Sequence, residues 1–537
     1  MYAKNEMVKI EEKSCEDFLI IDNYRIGIFS IKIFDTYPEA TYHATPLIDE
    51  ETAKIMKKIA KTVVTTAQLQ DRIYKLNELL EIIKKEATIL WKKLTYKRPY
   101  IFGDEDEEEI LLLTAYQVIG MAKLTPLLMD RQVNEIYLDN PKTPIYIDHL
   151  KWGRCKTKTY LTRDEIEKIV TRIRIENDLV LKYTNPSIKG ELVTKNFHAR
   201  VTIDSPPLAI DGFHIDIRKL RKKPYTLPEL IANKTVTLEA AAYIYYCLIN
   251  RCNITVIGEP GAGKTTMINA LDLLTPHIWR KIVIEDAIES VPQTDYGFHQ
   301  LRLKCGKQDL EEKNGNTTYN EKSREIAKLL HRSPDWVYLG EVLYPEDARA
   351  MFHALSAGLK GVQTCHGETP ENVIIRWVVH HKIPAVALQP LDLILHMKKI
   401  VEKREIKRKL VQICEIKEVV DINGHENGKE LGESEKIGRK KGGGEKTIEL
   451  PDQNVVLVNT FKYSPKTNQV ERVIENLFIT PTLEKIKRYR YVKEERFKET
   501  LQKLEKTLKN LTLTKTFSIK RVKNSLLNII GEGKEIS

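Results

Sequence analysis

A phosphate-binding loop is the feature that most constrains this chain of 537 residues. The residues GEPGAGKT at 258–265 follow the strand-like run NITVI and match the pattern G-x-x-x-x-G-K-[ST]. Glycines let successive backbone N–H groups turn towards a polyphosphate, because a Cβ would block the approach. The spacing places Lys264 to reach the β- and γ-phosphates and the Thr265 hydroxyl to ligate Mg²⁺. We therefore predict that the chain binds a nucleoside triphosphate, with ATP and Mg²⁺ as its cofactors.

The residues predicted to contact the nucleotide share one turn between a strand and a helix. They are Gly258, Glu259, Pro260, Gly261, Ala262, Gly263, Lys264, Thr265 and Thr266. A helix predicted from Thr266 to Leu274 offers the positive end of its dipole to the anion. The strand before the loop and the helix after it meet the context that the motif requires, which argues against a chance glycine-rich turn.

Length and composition indicate a globular protein of several domains. At about 150 residues per domain, the chain is long enough for three or four modules. No run approaches the roughly 18 uncharged apolar residues that a membrane span needs. The N-terminal residues MYAKNEMVKIEEKS lack the apolar core of a secretory signal. From these patterns we expect an intracellular protein.

The cysteines bear on disulfides and metal sites, and the net charge bears on the class of binding partner. The seven cysteines include no C-x-x-C pair, so neither a disulfide framework nor a zinc knuckle is expected. The net charge of +11 leaves open nucleic acid, an anionic membrane surface and an acidic protein face as partners.

Hydrophobic periodicity predicts two segments before the loop. Residues 1–110 combine a β-hairpin region from Phe18 to Thr45 with amphipathic helices between Asp49 and Leu94. The acidic run Asp104–Glu109 is expected to be a linker or the start of a helix. Residues 111–225 mix helical and strand patterns, which predicts an α/β domain without a phosphate loop of its own.

Three further segments are predicted from the loop onwards. Residues 226–420 alternate strand and helix patterns around the loop, which is typical of a parallel sheet with crossover helices. Residues 421–450 are rich in Gly, Lys and Glu and are expected to be a disordered loop between two strands. Residues 451–537 carry a strand and a basic helical segment, with leucines at helical spacing at 501, 504 and 508. That segment either covers the nucleotide domain or binds a membrane surface or a partner.

Acidic side chains end two of the predicted strands after the loop. Glu285 ends the run KIVIE and Glu341 ends the run DWVYLGE. The carboxyl ends of parallel strands open onto the crevice where a nucleotide lies, so acids there suit metal ligation and activation of the attacking water. The alternative is that each acid only caps the next helix. His366, in GVQTCHGET, follows a third apolar run, and by itself it is equally compatible with a structural role.

The order and spacing of these blocks resemble the secretion-ATPase superfamily of type II secretion, type IV pili and archaeal surface filaments. The blocks GEPGAGKT, IVIEDAIE, RSPDWVYLGEV and LSAGLKGVQTCHGETPENVIIR stand where that family has its Walker A motif, Asp box, Walker B motif and His box. The resemblance covers about Leu124 to Met397 and includes the family's N-terminal domain and linker. The N-terminal hairpin and helices are more similar to the archaeal members, the branch that assembles pili and archaella.

The resemblance implies an α/β fold and a role for each site residue. The fold would be a RecA-like P-loop NTPase domain preceded by an α/β, PAS-like N-terminal domain and a small helical and β extension. Glu285 would be the general base or water-orienting acid, and His366 the γ-phosphate sensor. Glu341 would be the Walker B acid, sharing the metal with Thr265.

The resemblance also implies arginine fingers in a homo-hexameric ring. Arg200 in HARVTI and Arg218 in IDIRKL stand where arginines of the family's N-terminal domain complete a nucleotide site. A guanidinium there would neutralise charge on the transferring phosphoryl group. The alternative for each arginine is a surface ion pair.

Three positions depart from the family's usual pattern. Leu343 stands where an arginine often follows the Walker B glutamate, Leu359 where a histidine is common, and Ala287 where the Asp box usually continues with proline. The departures bear on regulation, subunit coupling and turnover, and they leave the phosphate loop and both glutamates intact.

The resemblance therefore implies a hexameric Mg-dependent ATPase that powers assembly of a pilus-like or archaellum-like filament, or type II-like secretion, through a polytopic membrane platform protein. Pilin-like or secreted substrates would be handled indirectly. The expected location is cytoplasmic, peripheral at the inner face of the cell membrane, with anionic membrane contact left open.

Three other functions remain open from the sequence. They are a conjugation or type IV secretion ATPase exporting protein or DNA, a nucleic-acid motor and a non-hydrolysing scaffold. Nucleic acid is disfavoured as a partner because the basic residues lack interleaved aromatic platforms for stacking.

Overall fold

The computed structural model describes residues 18–66, 74–96, 104–221, 223–305, 321–402, 404–421, 445–451 and 453–531. They divide into two compact units, one within residues 1–222 together with 402–406 and one within residues 223–401 together with 407–537. Mixed sheets and helices in both units confirm the predicted α/β class. The five-segment division stays a prediction. Among the helices that the structure describes, none combines the length and the hydrophobicity that a membrane span requires.

The first unit is built on a nine-stranded sheet. Its strands are β1 (Ile20–Ile26), β2 (Phe29–Phe34), β3 (Ala40–Pro46), β4 (Val133–Leu138), β5 (Tyr146–His149), β6 (Gly153–Thr157), β7 (Ser187–Val193), β8 (His198–Asp204) and β9 (His214–Leu220). Its helices are α1 (Glu50–Thr66), α2 (Leu76–Thr95), α3 (Asp104–Val118), α4 (Thr125–Met129) and α5 (Arg163–Asn177). The strand order is β1-β2-β3-β6-β5-β4-β9-β8-β7, and only the β3–β6 pair is parallel among the described pairings of this sheet.

The local patterns explain why these elements form. Ile31 and Ile33 on β2 are fully buried with an exposed lysine between them, as the period of two in a strand requires. On α2, Leu76, Leu80 and Ile83 follow helical spacing and pack into the core. The predicted hairpin region and helical unit are thereby confirmed. The acidic run begins α3, so the helix-start interpretation is the one that holds.

A buried histidine links the stability of the first unit to pH. His149 is 2% exposed at the end of β5. Its Nδ1 accepts hydrogen bonds from the main-chain N–H groups of Lys151 and Trp152, each at 3.2 Å. A second proton would place a hydrogen on Nδ1 against both donors. Burial lowers the pKa of His149 to about 4, although nearby carboxylates such as Asp130 oppose the shift.

We expect the free energy of unfolding of the first unit to decrease as the pH falls from about 6.5 to about 4. In that range the unfolded chain binds a proton at His149 and the folded chain does not, and the effect amounts to about 3 kcal/mol. Hydrogen–deuterium exchange of β5 and β6 at several pH values measures it. His149→Gln should flatten the dependence, and His299→Gln, at an exposed histidine, should not. An equal pH dependence in the parent and His149→Gln would contradict this prediction.

The second unit is built on a ten-stranded sheet. Its strands are β10 (Ile254–Gly258), β11 (Arg280–Glu285), β12 (His299–Lys304), β13 (Trp336–Glu341), β14 (Gly361–His366), β15 (Leu393–Glu402), β16 (Glu405–Asp421), β17 (Glu445–Glu449), β18 (Gln453–Ser464) and β19 (Gln469–Arg472). Its helices are α6 (Leu227–Ala232), α7 (Leu238–Ile249), α8 (Lys264–Asp272), α9 (Glu321–Ala327), α10 (Pro345–Ser356), α11 (Pro370–Ile375), α12 (Pro481–Tyr489), α13 (Glu494–Leu513) and α14 (Ile519–Gly531).

The sheet of the second unit has a parallel half and an antiparallel half. The order is β12-β11-β13-β14-β10-β15-β16-β18-β17, with β19 paired to β18. The six neighbouring strands β12, β11, β13, β14, β10 and β15 pair in parallel. Strand β18 pairs antiparallel with each of β16, β17 and β19. Helices α7 and α13 contribute to one hydrophobic cluster, and α10 and α11 contribute to another. This is the parallel sheet with crossover helices predicted around the loop.

Two boundaries in the second unit differ from the predictions. Helix α8 begins at Lys264 and not at Thr266, because Gly263 lies in the left-handed region at φ +94° and turns the chain directly into the helix. The predicted disordered loop 421–450 is wrong at its end, where 445–449 form β17 and Ile448 is buried against the sheet. Residues 422–444 of that loop lie outside the described residues.

The C-terminal helices cover the nucleotide-binding unit, as one of the two interpretations predicted. Leu501, Leu504 and Leu508 on α13 are buried in the same cluster as the residues of α7. The spacing of three and four residues between these leucines places them on one apolar face of the helix, and the lysines at 503, 506 and 509 are exposed.

Candidate nucleotide site

The phosphate loop lies at the centre of the parallel half of the second sheet. It follows β10, which pairs with β14 on one side and β15 on the other. A Cβ at Gly258 would come within 2.3 Å of the Met397 carbonyl oxygen, so only glycine fits where the loop leaves the strand. Gly261 has φ +74°, and no atom lies within 4 Å of the position a Cβ would take. An open glycine turn of this kind fits a polyphosphate.

Lys264 joins the loop to the end of β14. Its Nζ donates to the carbonyl oxygens of Gly258 and Glu259, each at 3.0 Å, and lies 3.1 Å from His366 Nδ1. The opposite ring nitrogen, His366 Nε2, contacts a carboxylate oxygen of Glu341. The structure thus brings together three predicted site residues, from the ends of three neighbouring elements.

The partners of His366 determine its protonation. An ammonium can only donate and a carboxylate can only accept, so Nδ1 is the acceptor and Nε2 carries the hydrogen. Partial burial and then the Lys264 charge lower the pKa of His366, while Glu341 opposes them. A neutral imidazole therefore connects a cation to a carboxylate. Such a chain can transmit the position of the ammonium to the acid.

The Glu285 carboxylate is hydrogen-bonded within its own turn. It is 3% exposed, and its Oε1 accepts from the main-chain N–H groups of Glu289 and Ser290 at 3.0 and 2.8 Å. Oε2 accepts from the Ser290 hydroxyl, to which Arg302 donates in turn. Burial raises the pKa of Glu285, opposed by these hydrogen bonds and by Arg302. Its role as a general base stays a prediction.

The two predicted arginine fingers lie side by side in the first unit. Arg200 on β8 and Arg218 on β9 are directly opposite in the strand register. The Arg218 side chain is 55% exposed, and its Nε lies 3.6 Å from Glu135 Oε1. The surface ion pair foreseen as the alternative is therefore present for Arg218. Their action at a nucleotide site stays a prediction.

Several residues around the loop were missed in the sequence. Arg408 Nε donates to the Gly261 carbonyl at 2.8 Å, and the Glu259 carboxylate accepts from the Lys399 main-chain N–H at 3.1 Å. Arg376 donates to the main-chain oxygen of His366. The motif patterns give no signal for the first two contacts. Arg376 does end the His-box stretch, and its place at the end of α11 could have indicated it.

The donors fit Mg²⁺, which prefers oxygen ligands. Thr265 offers a hydroxyl from the first turn of α8, and Glu341 offers a carboxylate from the end of β13. Their joint ligation of a metal stays a prediction. Among the departures, Leu343 is 38% exposed beyond β13, whereas Leu359 packs against the cluster of α10 and α11. Ala287 is half-buried in the turn after β11.

Comparison with known proteins gives a family match over more than half of the chain. The family described as type II/IV secretion system protein matches residues 163–488. An uncharacterised protein of Methanocaldococcus jannaschii is 25% identical over 356 residues, which are 64% of this chain and 46% of that protein. The chain therefore spans about half the length of this curated relative.

A second sequence relative and one solved structure are also similar to parts of this chain. The conjugal transfer protein TrbB of Rhizobium radiobacter is 24% identical over 312 residues, covering 56% of this chain and 86% of that protein. The solved structure of the ATPase DotB from Legionella pneumophila covers 55% of this chain and 78% of its own, at 15% identity and a TM-score of 0.42.

Proposed function

We propose that this chain, which belongs to the type II/IV secretion system protein family, uses ATP hydrolysis to drive domain motion in the assembly of a pilus-like or archaellum-like filament, or in type II-like secretion. It is an ATPase of the P-loop class. The observation that carries the proposal is the chain of contacts from Lys264 through His366 to Glu341. The lysine serves nucleotide binding, whereas hydrolysis also needs an acid that orients the attacking water.

Each residue has a chemical task in this proposal. Bound ATP with Mg²⁺ supplies the phosphoanhydride bond and the metal charge. Lys264 binds and orients phosphate oxygens. The Glu341 carboxylate orients the attacking water and accepts hydrogen bonds from it. His366 senses whether the Lys264 ammonium is engaged, because its Nδ1 accepts from that group.

The motion that follows hydrolysis is proposed to require a ring. Arg200 and Arg218 belong to the first unit, and the phosphate loop belongs to the second. In a homo-hexamer these arginines would reach the nucleotide of a neighbouring subunit and neutralise charge there. The ring would act at the inner face of the cell membrane through a polytopic platform protein, with pilin-like or secreted substrates moved indirectly.

A second candidate is a conjugation or type IV secretion ATPase that exports protein or DNA. The observation that favours it is the likeness to the conjugal transfer protein TrbB, of which this chain covers 86%. ATPase assays separate the candidates. Stimulation by single-stranded DNA, with no response to anionic lipid vesicles, would favour export of DNA over filament assembly.

Mixing two inactive variants tests the ring and the arginines together. Arg218→Ala retains the phosphate loop, and Lys264→Ala retains the arginine. If the finger acts on a neighbouring subunit, random mixed rings should regain roughly a quarter of the parent ATPase rate, since a head-to-tail ring pairs unlike subunits. ATPase rate and negative-stain images with a non-hydrolysable ATP analogue measure the outcome.

The controls for the mixing experiment are each variant by itself and a substitution at an unrelated arginine. Each variant alone should stay inactive at the same total concentration, and Arg163→Ala, at an exposed arginine of α5, should retain activity. No recovery on mixing, together with a persistent monomer in the images, would remove the proposed role of Arg200 and Arg218.

A further inference from the structure

A buried lysine outside all of the recognised motifs reaches the ends of both acid-bearing strands. Lys322 lies in the first turn of α9, and its side chain is 2% exposed. Its Nζ lies 2.6 Å from Asp286 Oδ2 and also donates to the main-chain oxygen of Glu341. A buried ammonium is unfavourable unless it is paired and hydrogen-bonded, and these two contacts satisfy that need.

The main chain at Glu341 departs from regular strand pairing, so its carbonyl oxygen is available to accept a hydrogen bond from Lys322. The ladder between β11 and β13 ends at the pair Ile284–Leu339. The register of β13 with β14 shifts between Leu339 and Glu341. Gly340 lies at this shift, where a Cβ would come within 3.0 Å of Glu285 Cγ. Two residues after the last β11 pair, the Glu341 carbonyl accepts from Lys322 instead.

We propose that Lys322 is a positioning residue for ATP hydrolysis. Its ammonium holds the end of β13 through the Glu341 carbonyl, so that the Glu341 carboxylate is directed at His366. The same ammonium holds Asp286 beside it, which ties the end of β11 to the end of β13. Lys322 acts through Glu341 and does not itself contact the nucleotide. The inference rests on the proposed function, since it concerns the acid of that site.

Packing alone does not explain a lysine at this position. An apolar side chain of similar length would fill the same space without the cost of burying a charge, and removing one partner of an ion pair is costly mainly where the other charge stays buried. The partner Asp286 is 29% exposed, so water can solvate its carboxylate when the lysine is removed. Stability and catalysis should therefore separate in a Lys322→Met variant.

The experiment compares the parent with Lys322→Met, Lys322→Arg and the control Lys328→Met. Lys328 is 58% exposed and pairs with Glu325 close to α9. We expect Lys322→Met to lower kcat about 10- to 100-fold, because a small displacement of a catalytic group costs that much. The Kd for ADP and the melting temperature should stay unchanged. Lys322→Arg should recover part of the lost rate, and Lys328→Met should behave like the parent.

A second readout does not depend on activity. Hydrogen–deuterium exchange of nucleotide-free protein should become faster at residues 339–344 in Lys322→Met, because the Val342 N–H bond to the Thr364 carbonyl at 2.8 Å loosens with the strand end. If Lys322→Met does not fold, Asp286→Asn tests the same pair and should lower kcat with ADP affinity retained.

Three outcomes would overturn the inference. The first is an unchanged kcat in Lys322→Met, and the second is unchanged hydrogen–deuterium exchange at residues 339–344 in that variant. The third is a loss of ADP affinity that parallels the loss of kcat in both Lys322→Met and Asp286→Asn. Failure of the proposed function looks different, because then the parent itself would not hydrolyse ATP.

Discussion

Replacing Lys264 with alanine should lower kcat/KM for ATP by about 10³-fold, the largest effect expected of any single substitution in this chain. Lys264 is 8% exposed and supplies the ammonium that faces the loop carbonyls and His366. Alanine removes the charge that would bind phosphate oxygens and also leaves His366 Nδ1 without this donor. Both nucleotide binding and hydrolysis should fail. Equilibrium binding of a fluorescent ATP analogue and steady-state ATPase assays measure the two effects.

Lys398→Ala is the matched control for Lys264→Ala. Lys398 is an exposed lysine on β15, the strand beside the loop strand. If only the overall positive charge of this region mattered, both variants would lose similar activity. Retained nucleotide binding in Lys264→Ala would contradict the assignment of 258–265 as the phosphate loop.

Replacing Glu341 with glutamine should lower kcat by about 10²- to 10³-fold and leave nucleotide affinity intact. The amide keeps the size of the side chain and an oxygen that can accept from His366 Nε2. It loses the negative charge that orients water and the metal. Lys264 and the loop are unchanged, so binding should persist. Single-turnover hydrolysis and the Kd for ATP separate the two quantities.

Glu346→Gln provides the control for Glu341→Gln. Glu346 lies in the first turn of α10, five residues further along, and its nearest ion-pair contact is Arg349 at 3.9 Å. We expect parent-like kcat in that variant. Unchanged hydrolysis in Glu341→Gln would show that the acid of the site lies elsewhere.

The parts of the fold that follow from short-range chemistry could be predicted from the sequence. Glycines at 258, 261 and 263 permit a tight turn, and the apolar spacing of Leu501, Leu504 and Leu508 predicts a helix with one buried face. Such patterns set the conformation of a few neighbouring residues, so the local structure that they predict depends little on distant parts of the chain. Their success extends to the order of strands and helices around the loop.

Predictions failed where distant residues decide local structure. Residues 445–449 have a polar composition that predicts disorder, yet they pair with β18 because Ile448 can be buried against the sheet. Lys322 belongs to no recognised motif, and the sequence gives no sign that it is buried, because lysines on helices are mostly exposed. Only the positions of Asp286 and Glu341 in space give it partners.

The sequence by itself determined the phosphate loop, the acids at two strand ends and the histidine at a third. Only the tertiary structure decided which of them meet. His366 Nδ1 lies 3.1 Å from Lys264 Nζ across 102 positions of sequence, and Glu341 contacts the other nitrogen of that ring. Glu285, as strongly marked in the sequence, turns instead to Ser290. A motif constrains backbone torsions along a few residues, whereas the direction of a side chain at a strand end depends on which strands pack beside it.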